Sequence, residues 1–293
     1  MQKIVPHLWF DRDGITAAEL YTSLFPNSRI TSRSTISDTP SGTVETMSIS
    51  LAGQDFALLS AGPEFKFTPA VSFLVGCETK AEVNRLRGRL LEGGSELMPL
   101  DAYPFSGRYA WVVDAFGLSW QLMYNGGAAI GQRIIPTLMF TGEQCGKAEE
   151  AVSFYASLFG KARIDHVLRY GPGEDPNGKD LVKHAAFGLE GQEFAAMDSA
   201  LDHGSTFNEA ISFMVYCDDQ AEIDRYWGKL SAHPEAEQCG WLKDRYGLSW
   251  QIVPRALGRL MSSEDPARRA RVTTAFLKMK KLDIAALEGA SGG

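Results

Sequence analysis

Three residues near the N-terminus have side chains that could line a binding site. Apolar residues alternate along 4–10, which predicts a β-strand whose successive side chains point to opposite faces. His7, Trp9 and Asp11 therefore share one face. An imidazole, an indole and a carboxylate there could form the polar, aromatic wall of a cavity. The pattern also fits an exposed face, or Trp9 in the core with His7 hydrogen-bonded to the backbone.

A second group of candidate residues lies in a motif that occurs twice. The pattern Asp-x-Phe/Tyr-Gly-Leu-Ser-Trp-Gln stands at 114–121 and again at 244–251. On a strand, its Ser and Gln share one face and its Trp takes the other. Gln121 and Gln251 could each orient a polar ligand, because an amide both donates and accepts hydrogen bonds. The motif also fits a purely structural role, with Gly at a turn and Trp in the core.

The rest of the chain repeats around this motif. Hydrophobic periodicity predicts a β-α-β-β-β module twice in residues 1–125. The same sequence pattern begins again after a linker of small residues at 126–132. This predicts a second domain at 133–256 and a helical tail at 257–293. The second repeat is shorter between Gly228 and Trp241, which predicts a shortened hairpin or a lost strand.

Composition limits the function classes. Charged residues make up 22% of the chain and the net charge is −7, which disfavours non-specific binding to nucleic acid or to anionic membranes. No apolar run has the length of a signal peptide or a membrane span. The four cysteines form no Cys-x-x-Cys pair, so we expect reduced thiols in a cytoplasmic protein. Cys239, near Lys243 and Arg245, is a weaker candidate for a thiolate nucleophile.

Several motifs together resemble one known group of proteins. They are Pro6–Phe10, Tyr-x-x-Leu-Phe at 21–25 and 155–159, Tyr103–Ser106 with Tyr109 and Trp111, Cys239–Pro254, and Phe276–Ile284. They are similar to the PhnB-like group, labelled 3-demethylubiquinone 3-methyltransferase, of the vicinal-oxygen-chelate (glyoxalase/bleomycin-resistance) superfamily.

The resemblance implies an α+β fold. It implies two tandem domains, each of paired β-α-β-β-β modules that form an incomplete eight-stranded barrel around a cavity, followed by the helical tail. The cavity implies a small-molecule ligand. The duplication implies an internal pseudo-dimer, and it leaves a monomer and a homodimer both open.

Metal-dependent members of the superfamily hold a divalent ion with four His- or Glu-type ligands. The equivalent positions here are His7, Ser60, Ser72 and Gln121 in the first domain and Thr137, Asp198, Ser212 and Gln251 in the second. Hydroxyls and amides hold transition metals poorly, and a catalytic zinc usually has three nitrogen, sulfur or carboxylate ligands. We therefore expect the metal pattern to be broken in both halves, and His7, Ser60, Gln121 and Gln251 to contact a ligand instead.

A partial catalytic or metal site is still open at His184 and Asp198. His184 lies on the predicted strand before the one that bears Asp198, and adjacent strands lie about 4.8 Å apart. The two side chains could form a general base oriented by a carboxylate, or two ligands of a divalent metal. The alternative is a hydrogen-bonded pair that only satisfies a half-buried histidine.

These patterns leave three functions open. The first is a small-molecule-binding protein or an enzyme of unassigned reaction. The second is a metal-dependent lyase, isomerase or dioxygenase that uses His184 and Asp198, and the third is a non-enzymatic sequestering protein. The methyltransferase label has no support in the residues. A Rossmann-type cofactor site needs a strand, a glycine-rich turn and a helix, whereas Gly171-Pro172-Gly173 leads into a strand.

Overall fold

The computed structural model describes residues 2–39, 41–171, 173–174 and 180–292. For Asp38 it describes the backbone alone. Most of the loop predicted at 171–180 thus lies outside the described residues. Contacts divide the chain into two compact units, Met1–His7 with Ser212–Gly293 and Leu8–Ile211. Each sequence repeat contributes residues to both units. No helix in the described part of the chain is long and apolar enough to cross a membrane.

The elements follow the predicted modules. The first module is β1 (Ile4–Phe10), α1 (Gly14–Leu24), β2 (Arg29–Thr39), β3 (Gly42–Leu51) and β4 (Gln54–Ser60). The second is β5 (Val71–Cys77), α2 (Lys80–Leu90), β6 (Ser95–Tyr103), β7 (Ser106–Val113) and β8 (Ser119–Tyr124). The third is β9 (Ile134–Phe140), α3 (Ala148–Leu158), β10 (Arg163–Arg169), β11 (Val182–Leu189) and β12 (Gln192–Asp198).

The fourth module is the shortened one. It contains β13 (Ile211–Cys217), α4 (Gln220–Leu230), β14 (Trp241–Lys243) and β15 (Ser249–Pro254), with a 3₁₀ turn at Pro234–Ala236. All of its residues are described, and β14 is only three residues long. The fourth module has one strand fewer than the second, so of the two predicted alternatives the lost strand is the one observed.

In the unit Leu8–Ile211, eight strands form one mixed sheet. Their order is β10-β11-β12-β9-β5-β8-β7-β6. The antiparallel pair β5 and β9 joins the two halves, with Ser72 opposite Thr137. The sheet therefore combines the second module of the first repeat with the first module of the second repeat. The repeat predicted paired modules, but identical patterns cannot tell which modules will pair.

The boundary between the two units falls within β1, after His7. In the unit Met1–His7 with Ser212–Gly293, the strand order is β14-β15-β13-β1, and the amide of Tyr216 donates to the carbonyl of Lys3 at 2.9 Å. In the other unit, the remainder of β1 is followed by β4, β3 and β2. There the amide of Ala61 donates to the carbonyl of Phe10 at 3.1 Å.

The repeated motif is organised by its aspartate. One carboxylate oxygen of Asp114 accepts from the amides of Phe116 and Leu118, which fixes the turn into β8. The other oxygen accepts from the indole of Trp120 at 2.9 Å and from the hydroxyl of Tyr21 at 2.7 Å. Burial raises the pKa of Asp114, and these four donors oppose that rise. The motif thus ties a turn, a strand and helix α1 to one buried carboxylate.

The second copy of the motif repeats these bonds. Asp244 accepts from the amides of Tyr246 and Leu248, and from the indole of Trp250 at 2.9 Å. In the first copy, Trp120 packs against Tyr21 and Phe25, so this Trp lies in the core under helix α1. The Trp-bearing face is thereby committed to the core, and the Ser- and Gln-bearing face points the other way.

The tail forms three helices, α5 (Arg255–Met261), α6 (Pro266–Leu277) and α7 (Ile284–Gly292). Leu260, Val272, Leu282 and Leu287 form a small buried core among them. Asp265 caps α6 by accepting from the amide of Ala267. The tail also packs on the shortened module, because the amide of Gly240 donates to the carbonyl of Lys280 at 2.7 Å. Helix α5 has no side-chain cap, so no capping residue in the sequence marks its start.

Candidate functional site

One group of polar residues lies on a single face of β1, β13, β15 and β14. We name this group the His7 face, and it consists of His7, Ser212, Trp241, Ser249 and Gln251. The bond between Tyr216 and Lys3 sets the antiparallel register of β1 and β13, and following both strands from it places His7 opposite Ser212. Gln251 donates to the hydroxyl of Ser212 at 2.9 Å.

Trp241 completes the His7 face. It is the register partner of Gln251 in β14, and its ring meets the His7 imidazole edge-on with centroids 5.2 Å apart. An indole here offers an apolar surface beside the polar groups. Because the face is built on four neighbouring strands, its side chains are held in place by backbone pairing.

Two polar atoms of the His7 face are buried without a partner. His7 is only 7% exposed, and its Nδ1 has no hydrogen-bond partner among the described residues; the same holds for Oγ of Ser249. Burial lowers the pKa of His7 to about 3, so the imidazole is neutral at pH 7. Buried polar atoms in folded proteins are nearly always hydrogen-bonded, so these two mark places that a ligand or water can satisfy.

The equivalent group in the eight-stranded sheet is closed. We name it the Thr137 face, and it consists of Ser72, Trp111, Ser119, Gln121 and Thr137. Gln121 donates to the hydroxyl of Ser72 at 2.8 Å, and its carbonyl accepts from the hydroxyl of Tyr109 at 2.8 Å. Trp111 donates to the hydroxyl of Ser119 at 2.7 Å. Each polar group of this face already has a protein partner, since Thr137 also contacts the carbonyl of Ile135.

Trp9 and Ser60, also predicted to contact a ligand, lie in the unit Leu8–Ile211. The indole of Trp9 donates to the carbonyl of Gly62 at 2.8 Å, and its ring packs edge-on against Phe65. Oγ of Ser60 is buried without a partner in the described residues. Ser60 also lines a cavity of about 460 Å³ together with Asp11, Arg12 and Glu45. Ser60 thus borders a space that could hold a small molecule, whereas Trp9 is engaged by the backbone.

His184 and Asp198 have different partners in the structure. The two oxygens of Asp198 accept from the amides of Gly146, Ala148 and Val182, so this carboxylate caps helix α3. Nδ1 of His184 lies 2.9 Å from Nε2 of His166. Ala185 is opposite Ala196, so the pleat turns His184 and Asp198 to opposite faces of the sheet. The contact predicted between them therefore does not form within the described residues.

The donors at the superfamily's metal positions do not fit a divalent ion. The His7 face supplies one imidazole together with hydroxyls and an amide, and Asp198 already accepts three backbone hydrogen bonds. Within the described residues, no three His, Cys, Asp or Glu side chains converge on a point that could hold a metal. The donor chemistry favours a hydrogen-bonded ligand at these positions.

Cys239 does not have the surroundings of an activated nucleophile. Its backbone is left-handed, with φ of 52°, and its thiol contacts the carbonyl of Leu277 at 3.7 Å. Burial raises its pKa, which favours the thiol over the thiolate.

Sequence reasoning missed several residues of the two faces. Ser249, Ser119 and Tyr109 were not predicted as part of a site, although Ser and Gln of the motif visibly share a strand face. Trp111 and Trp241 occupy equivalent positions in the two repeats, and this equivalence could have indicated that both belong to a site. His166 was also missed, and nothing in the sequence links it to His184.

Comparisons with known proteins agree with the repeat. A family model described as 3-demethylubiquinone-9 3-methyltransferase matches residues 2–123 and 132–253. A PhnB protein of Bacillus cereus, described by the same activity, is 37% identical over 42% of this chain and 99% of its own, with a TM-score of 0.40. Glyoxalase I from Zea mays is 12% identical over 89% of this chain and 97% of its own, with a TM-score of 0.54, which shows a shared fold. The search of curated proteins gave no match.

Proposed function

Because the chain belongs to the 3-demethylubiquinone-9 3-methyltransferase family and has the PhnB-like, vicinal-oxygen-chelate fold of glyoxalases, we propose that it binds a small molecule on the His7 face. The observation that carries the proposal is the pair of buried, unpartnered atoms, Nδ1 of His7 and Oγ of Ser249. A ligand with a hydrogen-bonding group would satisfy both atoms, and water bound there would be displaced when it enters.

The chemistry of the face selects an uncharged ligand. None of its five residues carries a formal charge at pH 7, because burial keeps His7 neutral. A hydroxyl can donate or accept, and a neutral imidazole nitrogen does one or the other according to its tautomer. The ligand class is therefore a small neutral molecule with a carbonyl or hydroxyl group and an apolar part that packs on Trp241.

Binding fits this face better than proton transfer does. A general base works best when its pKa lies near the working pH. Burial lowers the pKa of His7 to about 3, so this imidazole holds a proton poorly at pH 7. The face thus orients a ligand without activating it, and a binding or sequestering protein follows more directly than an enzyme.

The other functions stay predictions. A metal-dependent lyase, isomerase or dioxygenase would use His184 and Asp198, each of which now has its own partner. For methyl transfer, the described residues contain no strand, glycine-rich turn and helix of the kind that holds an adenosyl cofactor in Rossmann folds. We further propose a cytoplasmic protein with no nucleic-acid or membrane partner, and a monomer and a homodimer both remain predictions.

The test is native mass spectrometry of tag-free protein, followed by thermal-shift and calorimetric titration with a panel of small neutral carbonyl and hydroxyl compounds. We expect a bound compound whose affinity falls about 10-fold or more in Ser249→Ala, since this variant loses a hydrogen bond made in the complex. Thr137→Ala is the matched control in the other face and should leave that affinity unchanged.

Two results would overturn the proposal. One is a ligand whose affinity depends on the Thr137 face and not on the His7 face. The other is a high-resolution structure in which ordered water alone satisfies His7 and Ser249, with no compound of the panel displacing it.

A further inference from the structure

The two histidines that meet on the eight-stranded sheet form a pair that the proposed ligand site does not use. His166 lies on β10 and His184 on β11, and these strands are paired antiparallel, with Leu168 opposite His184 and His166 opposite Ala186. The two rings are nearly parallel, with centroids 5.1 Å apart. His166 is exposed and His184 is half-buried, so the pair is open to solvent on one side.

We infer that His166 and His184 form a two-histidine chelate for a late first-row divalent cation. Nε2 of His166 and Nδ1 of His184 are 2.9 Å apart. Two metal–nitrogen bonds of about 2.0–2.1 Å that meet at a right angle hold their nitrogens about 2.9 Å apart. The spacing in the free protein therefore already equals the bite of a cis pair of imidazoles in tetragonal geometry, which Ni²⁺ and Cu²⁺ prefer.

The sheet pre-organises this pair. Both imidazoles project from neighbouring strands whose register is fixed by backbone hydrogen bonds, so binding a cation requires rotation of the rings and no movement of the backbone. Entry of the cation displaces the hydrogen bond between the two nitrogens. The shared proton moves to the other nitrogen of its own ring, so each ring stays neutral and presents a lone pair to the metal.

The remaining coordination positions would be taken by water. Within the described residues, no third His, Cys, Asp or Glu joins the pair. The pleat places Met197 on the same face of β12, and Met139 is its register partner in β9. The site is therefore an open one with exchangeable positions, distinct from a closed structural metal site.

The experiment is isothermal titration of tag-free protein with Ni²⁺, with Mg²⁺ as a cation that needs oxygen ligands. We expect saturable binding of one Ni²⁺ per chain and none of Mg²⁺. His166→Gln and His184→Gln should each weaken Ni²⁺ binding about 10- to 100-fold, because either change leaves a single imidazole. His203→Gln is the matched control, since His203 is bonded to Ser199 instead.

Circular dichroism confirms that each variant is folded before the comparison is made. Electron paramagnetic resonance with Cu²⁺ gives an independent readout, in which the wild type shows coupling to two imidazole nitrogens and each variant to one. The inference is overturned if His166→Gln binds Ni²⁺ like the wild type, or if His203→Gln loses as much affinity as the pair. It is also overturned if the wild type shows no saturable Ni²⁺ binding.

Discussion

The His7 face and the Thr137 face are built from the same strand pattern and differ in how their polar atoms are satisfied. Both contain a Gln that donates to a Ser on the neighbouring strand, at 2.9 Å for Gln251 and 2.8 Å for Gln121. In the Thr137 face, the hydroxyl of Tyr109 donates to the carbonyl of Gln121, and the indole of Trp111 donates to Ser119. In the His7 face, Ser249 and Nδ1 of His7 are left without partners among the described residues.

Part of the difference arises from substitutions between equivalent positions. His7 stands where the other repeat has Thr137, and Cys239 stands where the first repeat has Tyr109. A Cys side chain is too short and too weak a donor to replace the Tyr hydroxyl. The duplication therefore produced two faces with the same strand arrangement. In the Thr137 face the polar groups bond to one another, whereas the His7 face has polar atoms that a ligand can bond.

The largest expected effect on stability comes from removing Asp114. This aspartate fixes strand β8, which carries Gln121 of the Thr137 face. Asp114→Ala leaves the Tyr21 hydroxyl, the Trp120 indole and two amides without their acceptor. We expect a loss of about 3–5 kcal/mol in the free energy of unfolding, measured by urea denaturation. The exposed Asp202, which accepts from the amide of Gly204, is the control, and its Ala variant should lose no more than about 1 kcal/mol. Equal losses would refute the role of Asp114.

The next largest effect is a pH dependence of the free energy of unfolding. It arises from His7, which has no titratable counterpart in the Thr137 face. The pKa of His7 in the folded protein, about 3, lies below the ordinary histidine value of 6.5, so only the unfolded state takes up this proton between those pH values. The free energy of unfolding should therefore fall as the pH drops from 6.5 toward 3, with a slope of up to about 1.4 kcal/mol per pH unit. Above pH 6.5 this contribution is constant.

His7→Thr makes the His7 face resemble the Thr137 face and should remove this component of the slope. Denaturation midpoints of wild type and variant at pH 4, 5, 6 and 7 measure it as a difference, which cancels the other titrating groups. Parallel pH profiles for the two proteins would show that His7 is not held neutral by burial.

A smaller effect is expected when the closed face is opened. Tyr109→Phe removes the hydroxyl that donates to Gln121 and leaves the buried amide carbonyl without a donor. The expected cost is about 1–2 kcal/mol in the free energy of unfolding. A variant as stable as the wild type would mean that Gln121 is satisfied in some other way, and the contrast between the faces would then disappear.

The smallest expected effects on the free energy of unfolding are those of the two motif serines, Ser119 and Ser249, and they should differ from each other. Ser119→Ala takes the acceptor from the Trp111 indole and should cost about 1 kcal/mol. Ser249→Ala removes a buried hydroxyl that has no partner in the part of the chain that the structure describes, so the free energy of unfolding should stay within about 0.5 kcal/mol of the wild type or rise. Thermal unfolding of the two variants side by side measures the difference. A Ser249→Ala loss as large as that of Ser119→Ala would show that Ser249 has a structural role.

Much of the fold could be predicted because hydrophobic periodicity is a local property. Strand β1 at Ile4–Phe10 was predicted with its observed bounds. Strand alternation also placed Trp120 on the face opposite Gln121, and on that face Trp120 packs under helix α1. The site was less accessible, since the predicted contact of His184 with Asp198 depended on register, and a pleat places neighbouring positions on opposite faces.

The sequence alone determined the duplication, the four modules, the shortening of the fourth module and the faces on which Gln121 and Gln251 lie, because each follows from spacing along the chain. Only the tertiary structure decided that Asp198 caps helix α3, that His184 meets His166, and that β5 pairs with β9. It alone also showed that one Gln–Ser pair is closed by Tyr109 while its equivalent lies beside two unpartnered atoms. Hydrogen-bond satisfaction depends on which strands become neighbours, and two copies of one pattern carry no information about that choice.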